Sequence, residues 1–376
     1  MDGKAPVKVL FVACLQNPLD HNAGSGVDYD LYHGLLHNGA DVSVVGPFTF
    51  SQTRFERLAR AAHSLVFKRR PLKYPVSFLN AAARGVEAAI AEQRPDVIFS
   101  RHLMILSRVQ TDVPLVVCAD TTLYGNQQDW PMFSLIPYLR QEKWERGVYD
   151  RASKVIMFSR WSADILGRHY RQPAEKVAVL PIPASIPLAV VPEQPAAPAL
   201  SPLKILLVGR DAYRKGIDIA IEAVEQLNRD GVPAELRIVG LDGASDEYIR
   251  FMGLYNKTVP EELQDYVDNY RWANFLIHPA RFEAAGIVPA EAAAFGVPTV
   301  TNDVGGLATT VDDGVSGVVL PKHSPPEAYA AVFKRYALDP TAYQALRRST
   351  RRRYENELNW DVAGRQLYEI VSSALR

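Results

Sequence analysis

From Val7 onward the chain alternates short, continuous apolar runs with longer stretches in which apolar residues recur every third or fourth position. The runs "VKVLFVA", "DVSVVG", "DVIFS", "PLVVCAD", "KVIMF" and "KVAVL" have the length and β-branched content of strands buried on both faces. A glycine loop and helix, "GSGVDYDLYHGLLHNG", follow the first of them. Strands separated by helices cannot close hairpins, so the pattern predicts a parallel sheet with crossover helices.

The alternation breaks at "PIPASIPLAVVPEQPAAPALSP", where proline recurs too often for a helix or a central strand, and the segment reads as a stiff linker. Beyond it come the runs "KILLVG", "ELRIVG", "YIRFMG", "NFLIHP", "PTVTN" and "GVVL", with helices predicted over residues 217–228, from Glu261, and around Glu291. The expected fold class is α/β, two Rossmann-like doubly wound domains with a cleft between them. Residues 1–184 form the first domain, 185–202 the linker and 203–358 the second domain, and a last helix over 359–376 returns to the first. Ligands of such sheets bind beyond the carboxyl ends of the strands, so the loops there hold the candidate residues. The basic run in "TAYQALRRSTRRRYENEL" is expected to be the solvated face of an amphipathic helix.

One further helix has two readings. In "RFERLARAAHSLVFKRR", residues 54–70, helical spacing puts Phe55, Leu58, Ala59, Ala62, Leu65 and Val66 on one face and Arg54, Arg57, Arg60 and Lys68 on the other. Such a stripe more often packs into a core, but a basic amphipathic helix can also lie on an anionic membrane as a peripheral contact.

Composition narrows the function classes. The chain has 376 residues, ample for two cores, and its 42 basic and 42 acidic residues leave no net charge to attract nucleic acid. No apolar run reaches membrane-spanning length, and the start "MDGKAPVKVLFVACL" reads as a strand rather than a signal peptide, so a cytoplasmic location is expected. Cys14 and Cys118 each end an apolar strand and are expected to be buried small residues, not ligands or a disulfide. No cysteine and histidine spacing forms a metal site, and the "DYD" of Asp28 and Asp30 resembles a paired-aspartate site for a divalent metal but stands where acidic residues favour a helix start anyway. No metal or other cofactor is expected.

The densest chemistry lies in "RFEAAGIVPAEAAAFGVPTV", where Glu283 and Glu291 flank a glycine turn and the start of an alanine-rich helix. The first amides of a helix lack partners and its dipole end is positive, so Gly286, Ile287 and Val288 would receive phosphate oxygens. The two carboxylates suit the vicinal hydroxyls of a ribose and a hexose, and a phosphate with sugars on both sides is a nucleotide sugar. Two solvated charges favouring a helix start would leave the same pattern. Upstream, "GRDAYRKG" puts Arg210 and Lys215 after the first strand of the second domain, two cations suited to a diphosphate. With "DVGG", residues 303–306, these features converge on one edge of one sheet.

At these residues the sequence resembles the retaining family-4 glycosyltransferases of the GT-B fold, whose pattern runs roughly "vGR....KG" and later "P...E.fGiv..EA.a.G.PvV....GG". The similarity covers nearly the whole chain, from "GSGV" to the final Trp360 and Asp361. It implies an acceptor-binding first domain and a donor-binding second domain, and transfer of a hexosyl group from a nucleoside-diphosphate sugar to a hydroxyl acceptor such as a glycan, a lipid-linked sugar or a small molecule. Arg210 and Lys215 would hold the diphosphate, Glu291 the ribose and Glu283 the transferred sugar. Backbone at Gly286, Ile287 and Val288 would touch sugar and phosphate, Gly253 and Leu254 would carry the base, and Gly24 and Gly26 would let the first-domain backbone approach the phosphate. The chain departs from the pattern in "EAAG" for "EGFG", in Thr309 after the double glycine, and in Asp120 where many members have a histidine. Asp120 would then orient the donor sugar through a hydroxyl, unless it caps the next helix or pairs with a cation. A sugar-nucleotide epimerase, a phosphorylase or a non-catalytic two-lobed sugar-binding protein would use the same fold.

Overall fold

The computed structural model describes residues 5–21, 26–50, 52–69, 71 and 73–375. They fall into two compact units, the first running to Leu180 and resumed from Ala363, the second spanning Pro181–Val362.

The first unit is built from β1 (Lys8–Val12), α1 (Val27–His37), β2 (Asp41–Val45), α2 (Arg54–Phe67), α3 (Val76–Gln93), β3 (Val97–Ser100) and α4 (Leu103–Leu106). β4 (Leu115–Ala119), α5 (Leu123–Asp129), α6 (Leu135–Arg151), β5 (Lys154–Met157), α7 (Arg160–Arg168) and β6 (Val177–Val179) complete it. The strands are all parallel in the order β2-β1-β3-β4-β5-β6. The central strands β3 and β4 are buried at every position while the edge strand β2 is not, which is why their sequences are unbroken apolar runs. Cys14 and Cys118 are buried free thiols in this unit.

The second unit repeats the plan with β7 (Leu203–Val208), α8 (Ala212–Lys215), α9 (Ile217–Arg229), β8 (Ala234–Val239), β9 (Ile249–Phe251), α10 (Pro260–Trp272) and β10 (Phe275–His278). After these come α11 (Ile287–Ala294), β11 (Thr299–Asn302), α12 (Leu307–Thr310), β12 (Gly317–Leu320), α13 (Pro326–Leu338) and α14 (Pro340–Asn356). The parallel order is β12-β11-β10-β7-β8-β9. Two apolar clusters cover its faces, one centred on α9 and α13, the other on α10 and α11. The last helix, α15 (Trp360–Ser373), lies against α1: a methyl group on Gly364 would come within 3.2 Å of Gly34 and 2.9 Å of the Asn38 amide.

Two expectations about polar segments need correction. Residues 185–202 lie within the second unit and are strapped to it, because Arg347 donates to the Ala196 carbonyl at 2.8 Å and Arg271 to the Val190 carbonyl at 2.9 Å. The basic run of α14 is solvated only in part: Arg348 and Arg352 are exposed, but Arg347 and Arg353 are buried, Arg351 donates to the Ala294 carbonyl, and Arg353 reaches the Thr309 carbonyl at 2.6 Å. Guanidinium groups can be buried here because the irregular backbone around them supplies carbonyl acceptors.

Candidate active site

Strand order reverses between β7 and β10, so the loops leaving their carboxyl ends part and open a crevice at the sheet edge. The local sequence closes the first loop into a single turn. Asp211 caps α8 by accepting from the Arg214 amide at 3.0 Å, and Gly216 ends it in the left-handed region at φ 68°. A Cβ on Gly216 would stand 2.1 Å from the Pro279 carbonyl oxygen, so this turn sits flush on the loop after β10 only because residue 216 is glycine. Lys215 therefore lies at the end of a short helix rather than in an open loop, with its stem buried.

The result is a carboxylate clamped by cations. Lys215 Nζ donates to Glu283 Oε2, and Arg214 reaches the same oxygen at 3.2 Å and the Phe282 carbonyl at 3.2 Å. His278 Nε2 lies 3.4 Å from both Lys215 Nζ and Glu283 Oε2. Burial alone would raise the Glu283 pKa, but Lys215, His278 and Arg214 outweigh it and hold the carboxyl well below the usual range. Burial, and then the Lys215 charge, push His278 down to about 4, so its ring is neutral at pH 7. Glu283 Oε1 has no hydrogen-bond partner among the described residues.

The "DVGG" segment acts on the backbone of Glu283. Gly306 N–H donates to the Glu283 carbonyl at 3.0 Å, and a Cβ on Gly305, which has φ 55°, would meet that oxygen at 2.0 Å. From β11, Thr301 and Asn302 donate to the His278 and Ala280 carbonyls at 2.8 and 3.1 Å. The carboxylate is thus fixed from three elements at once.

α11 begins four residues after Glu283. Several other helices open on a capping side chain, Thr53, Thr122, Ser159, Asp211 or Asp339, but α11 opens on Gly286 at φ 87° with none. Pro289 brings no N–H to its first turn, and no side chain caps the amides of Gly286, Ile287 and Val288. Glu291, one turn on, departs from expectation. Rather than standing open to solvent it is 1% exposed, with Oε2 accepting from Tyr266 and Tyr270 at 2.5 and 2.8 Å and Oε1 from Lys257 at 3.1 Å. Burial, and then the Glu291 charge, raise both tyrosine hydroxyls well above their ordinary range, so they remain donors.

Arg210 is exposed and makes no hydrogen bond or ion pair among the described residues, the one expected site cation of this loop left unengaged. Gly253 (φ 70°) accepts from Gly240 N–H at 2.7 Å beside the sheet edge at β9, and Leu254 is 61% exposed. Arg214, His278, Tyr266, Tyr270 and Lys257 escaped the reading of the sequence. The only signals for them are the arginine preceding the "KG" pair, the histidine ending "NFLIH", and two tyrosines four apart on α10.

In the first unit, Gly24 lies outside the described residues, and Gly26 opens α1 at φ 92°. Asp28 pairs with Arg101 at 2.7 Å and stands 3.7 Å from His102. Asp120 is exposed at the end of β4, and among the described residues only its backbone carbonyl is bonded, by Ser162 Oγ at 2.9 Å. It does not cap the next helix, because Thr122 does so through the Gly125 amide at 3.0 Å; it does supply part of the negative field that raises the Arg101 pKa against burial. Among the described residues no helix is long and apolar enough to cross a membrane.

Two doubly wound sheets, with a cation-clamped glutamate and an uncapped helix start at the switch point of the second, describe a glycosyltransferase of the GT-B type. The family model for "Glycosyltransferase Family 4" matches residues 28–184 and that for "Glycosyl transferases group 1" matches residues 193–353. The chain belongs to the family-4 glycosyltransferases of GT-B type. Among curated relatives it is 27% identical over 302 residues to a glycogen synthase of Mycobacterium tuberculosis, covering 75% of this chain and 70% of that one. Its fold matches sucrose-phosphate synthase from Thermosynechococcus elongatus at TM-score 0.69 and 19% identity, over 98% of this chain and 99% of the other. It also matches Anabaena HepE, solved in complex with UDP and glucose, at TM-score 0.65 and 17% identity, over 98% of this chain and all of that chain, 100%.

Proposed function

We propose that this glycosyltransferase moves a hexosyl group from a nucleoside-diphosphate sugar to a hydroxyl acceptor with retention of anomeric configuration. The observation that carries the reading is Glu283: ionised, immobilised through Oε2, and left with an unpartnered Oε1 beside uncapped amides. An oxygen in that state accepts from a sugar hydroxyl with little reorganisation, while the amides of Gly286, Ile287 and Val288 face the adjoining phosphate.

Arg210, with no partner among the described residues, takes diphosphate oxygens, and Lys215 adds charge as the leaving group departs. Glu291 serves the ribose through Oε1, which carries only the Lys257 bond, so its tyrosine partners set the position of that oxygen. The segment at Gly253 and Leu254 carries the base, Gly24 and Gly26 admit a phosphate close to the first-domain backbone, and Asp120 orients the transferred sugar. In HepE the bound nucleotide is UDP, which makes a uridine diphosphate sugar the first donor to try. The acceptor hydroxyl attacks the anomeric carbon on the face the diphosphate leaves, and its proton passes to a departing phosphate oxygen. Positive charge comes from Arg210, Lys215 and the α11 amides, so the reaction is expected to run without a metal ion.

The test is incubation with UDP-, GDP-, ADP- and dTDP-hexoses and a mixture of hydroxyl acceptors, following nucleoside diphosphate release and the product's anomeric signal by NMR. Release dependent on acceptor, giving the donor's anomer and surviving EDTA, is expected. Turnover without acceptor, or dependence on inorganic phosphate, would instead identify an epimerase or a phosphorylase.

A further inference from the structure

We propose that α2 attaches the protein to an anionic lipid bilayer through its apolar face. The helix is inside out. Its half-buried residues are Glu56, Arg60 and His63, spaced to share one face, and they meet the body of the first unit through polar contacts: Ser77 donates to Glu56 at 2.8 Å and His63 Nε2 lies 2.8 Å from Ser134 Oγ. None of its residues is buried, and the apolar side chains that would serve a core stand in solvent, with Phe55 at 80%, Leu58 at 70%, Leu65 at 81% and Val66 at 70% exposure. This overturns core packing as the use of that stripe.

The patch extends beyond the helix. Ser134, which holds His63, directly precedes Leu135 and Ile136 at the start of α6, 67% and 79% exposed. A capping box, with Thr53 and Glu56 bonding one another's backbone, fixes the helix without any help from its apolar side.

Charge selects the occupant. Arg54, Arg57, Lys68 and Arg69 are exposed beside the stripe, and Glu56 is the single acidic residue between Asp41 and Glu87, engaged by Ser77 and Thr53. Two copies joined through this face would set unbalanced cations against one another. The apolar residues project from a convex helix rather than lining a groove, which suits insertion among acyl chains with cations at phosphate headgroups. Attachment of this kind is independent of which sugar the second unit transfers.

Sedimentation with phosphatidylcholine vesicles, with and without one-third phosphatidylglycerol, tests it. The unmodified chain is expected to pellet with the anionic vesicles only. Leu58→Ser with Leu65→Ser, and separately Arg57→Glu with Lys68→Glu, should each lower the bound fraction by about tenfold or more with the melting temperature unchanged, since α2 contributes no buried side chain. No pelleting, or equal pelleting with both vesicles, overturns the proposal. So does a dimer by light scattering that Leu58→Ser with Leu65→Ser dissociates while vesicles are ignored.

Discussion

The two units place opposite charges at equivalent points of the same architecture. In the first, the order reverses between β1 and β3, and there a carboxylate on the helix after β1, Asp28, pairs with a cation after β3, Arg101. In the second, the order reverses between β7 and β10, the cations follow β7 and the carboxylate follows β10. The balance differs as well as the arrangement. Asp28 and Arg101 nearly cancel, with Asp120 adding negative charge nearby, whereas the three cations Arg210, Arg214 and Lys215 outnumber the two carboxylates Glu283 and Asp211, the latter 3.9 Å from Arg214. One switch point is a closed ion pair and the other has positive charge to spare, so the second is the one proposed to take the diphosphate.

The comparison is broken most sharply by removing one cation from each side. Lys215→Ala should cut kcat by roughly a hundredfold or more, the scale for losing one group that stabilises developing negative charge, while Arg214 still holds Glu283. Steady-state rates would show it, and a pure rise in KM would contradict it. Arg101→Ala should act on stability, because Asp28 is left buried with His102, 3.7 Å away, as its remaining partner. Urea unfolding should show a loss of about 3 to 5 kcal/mol.

Each unit also buries a glutamate under two tyrosine hydroxyls, and they differ in having a cation. Glu291 has Lys257, but among the described residues Glu145 has only Tyr149, Tyr170 and the Leu123 amide, and burial pushes its carboxyl up to about 7. A raised carboxyl pKa means the folded state binds the proton more tightly than the unfolded one. Stability is therefore greatest below the unfolded value and falls as pH rises to about 7, by roughly 3 kcal/mol in all. Glu145→Gln should flatten that slope in unfolding measured between about pH 5 and about pH 8, and an unchanged slope assigns it to another group. Asp28 has the opposite sign. Burial is outweighed by His102 and Arg101, which hold it at about 2, so its contribution of about 2 kcal/mol is present above about pH 4 and lost as pH falls through 2. The smallest expected effect is at Asp120. Asp120→Asn should slow transfer by about tenfold, roughly 1.4 kcal/mol, with nucleotide affinity unchanged; loss of affinity and stability together would make it structural.

The strands were legible because a parallel sheet buries both faces and so writes itself as apolar runs. Lys215, Glu283 and the "GG" loop were legible because glycines at 216 and 305 are needed for close backbone approach, which fixes their spacing from the charged residues. What escaped depends on partners distant in sequence. Glu291 reads as an open carboxylate until Tyr266, Tyr270 and Lys257 arrive from α10 and the turn before it. Arg347 and Arg353 of α14 read as solvated until the Ala196 carbonyl meets the first and the Thr309 carbonyl the second. For α2, periodicity told which residues share a face but not which face the protein turns inward.

The central claim, that the β7 and β10 switch point binds the diphosphate, is tested most directly by calorimetric titration of UDP, GDP, ADP and dTDP into the unmodified chain, Arg210→Ala and Arg101→Lys. One nucleotide should bind the unmodified chain, Arg210→Ala should weaken it by about tenfold or more, and Arg101→Lys should leave it unchanged. Affinity that survives Arg210→Ala but is lost in Arg101→Lys would put the diphosphate in the first unit and contradict the account.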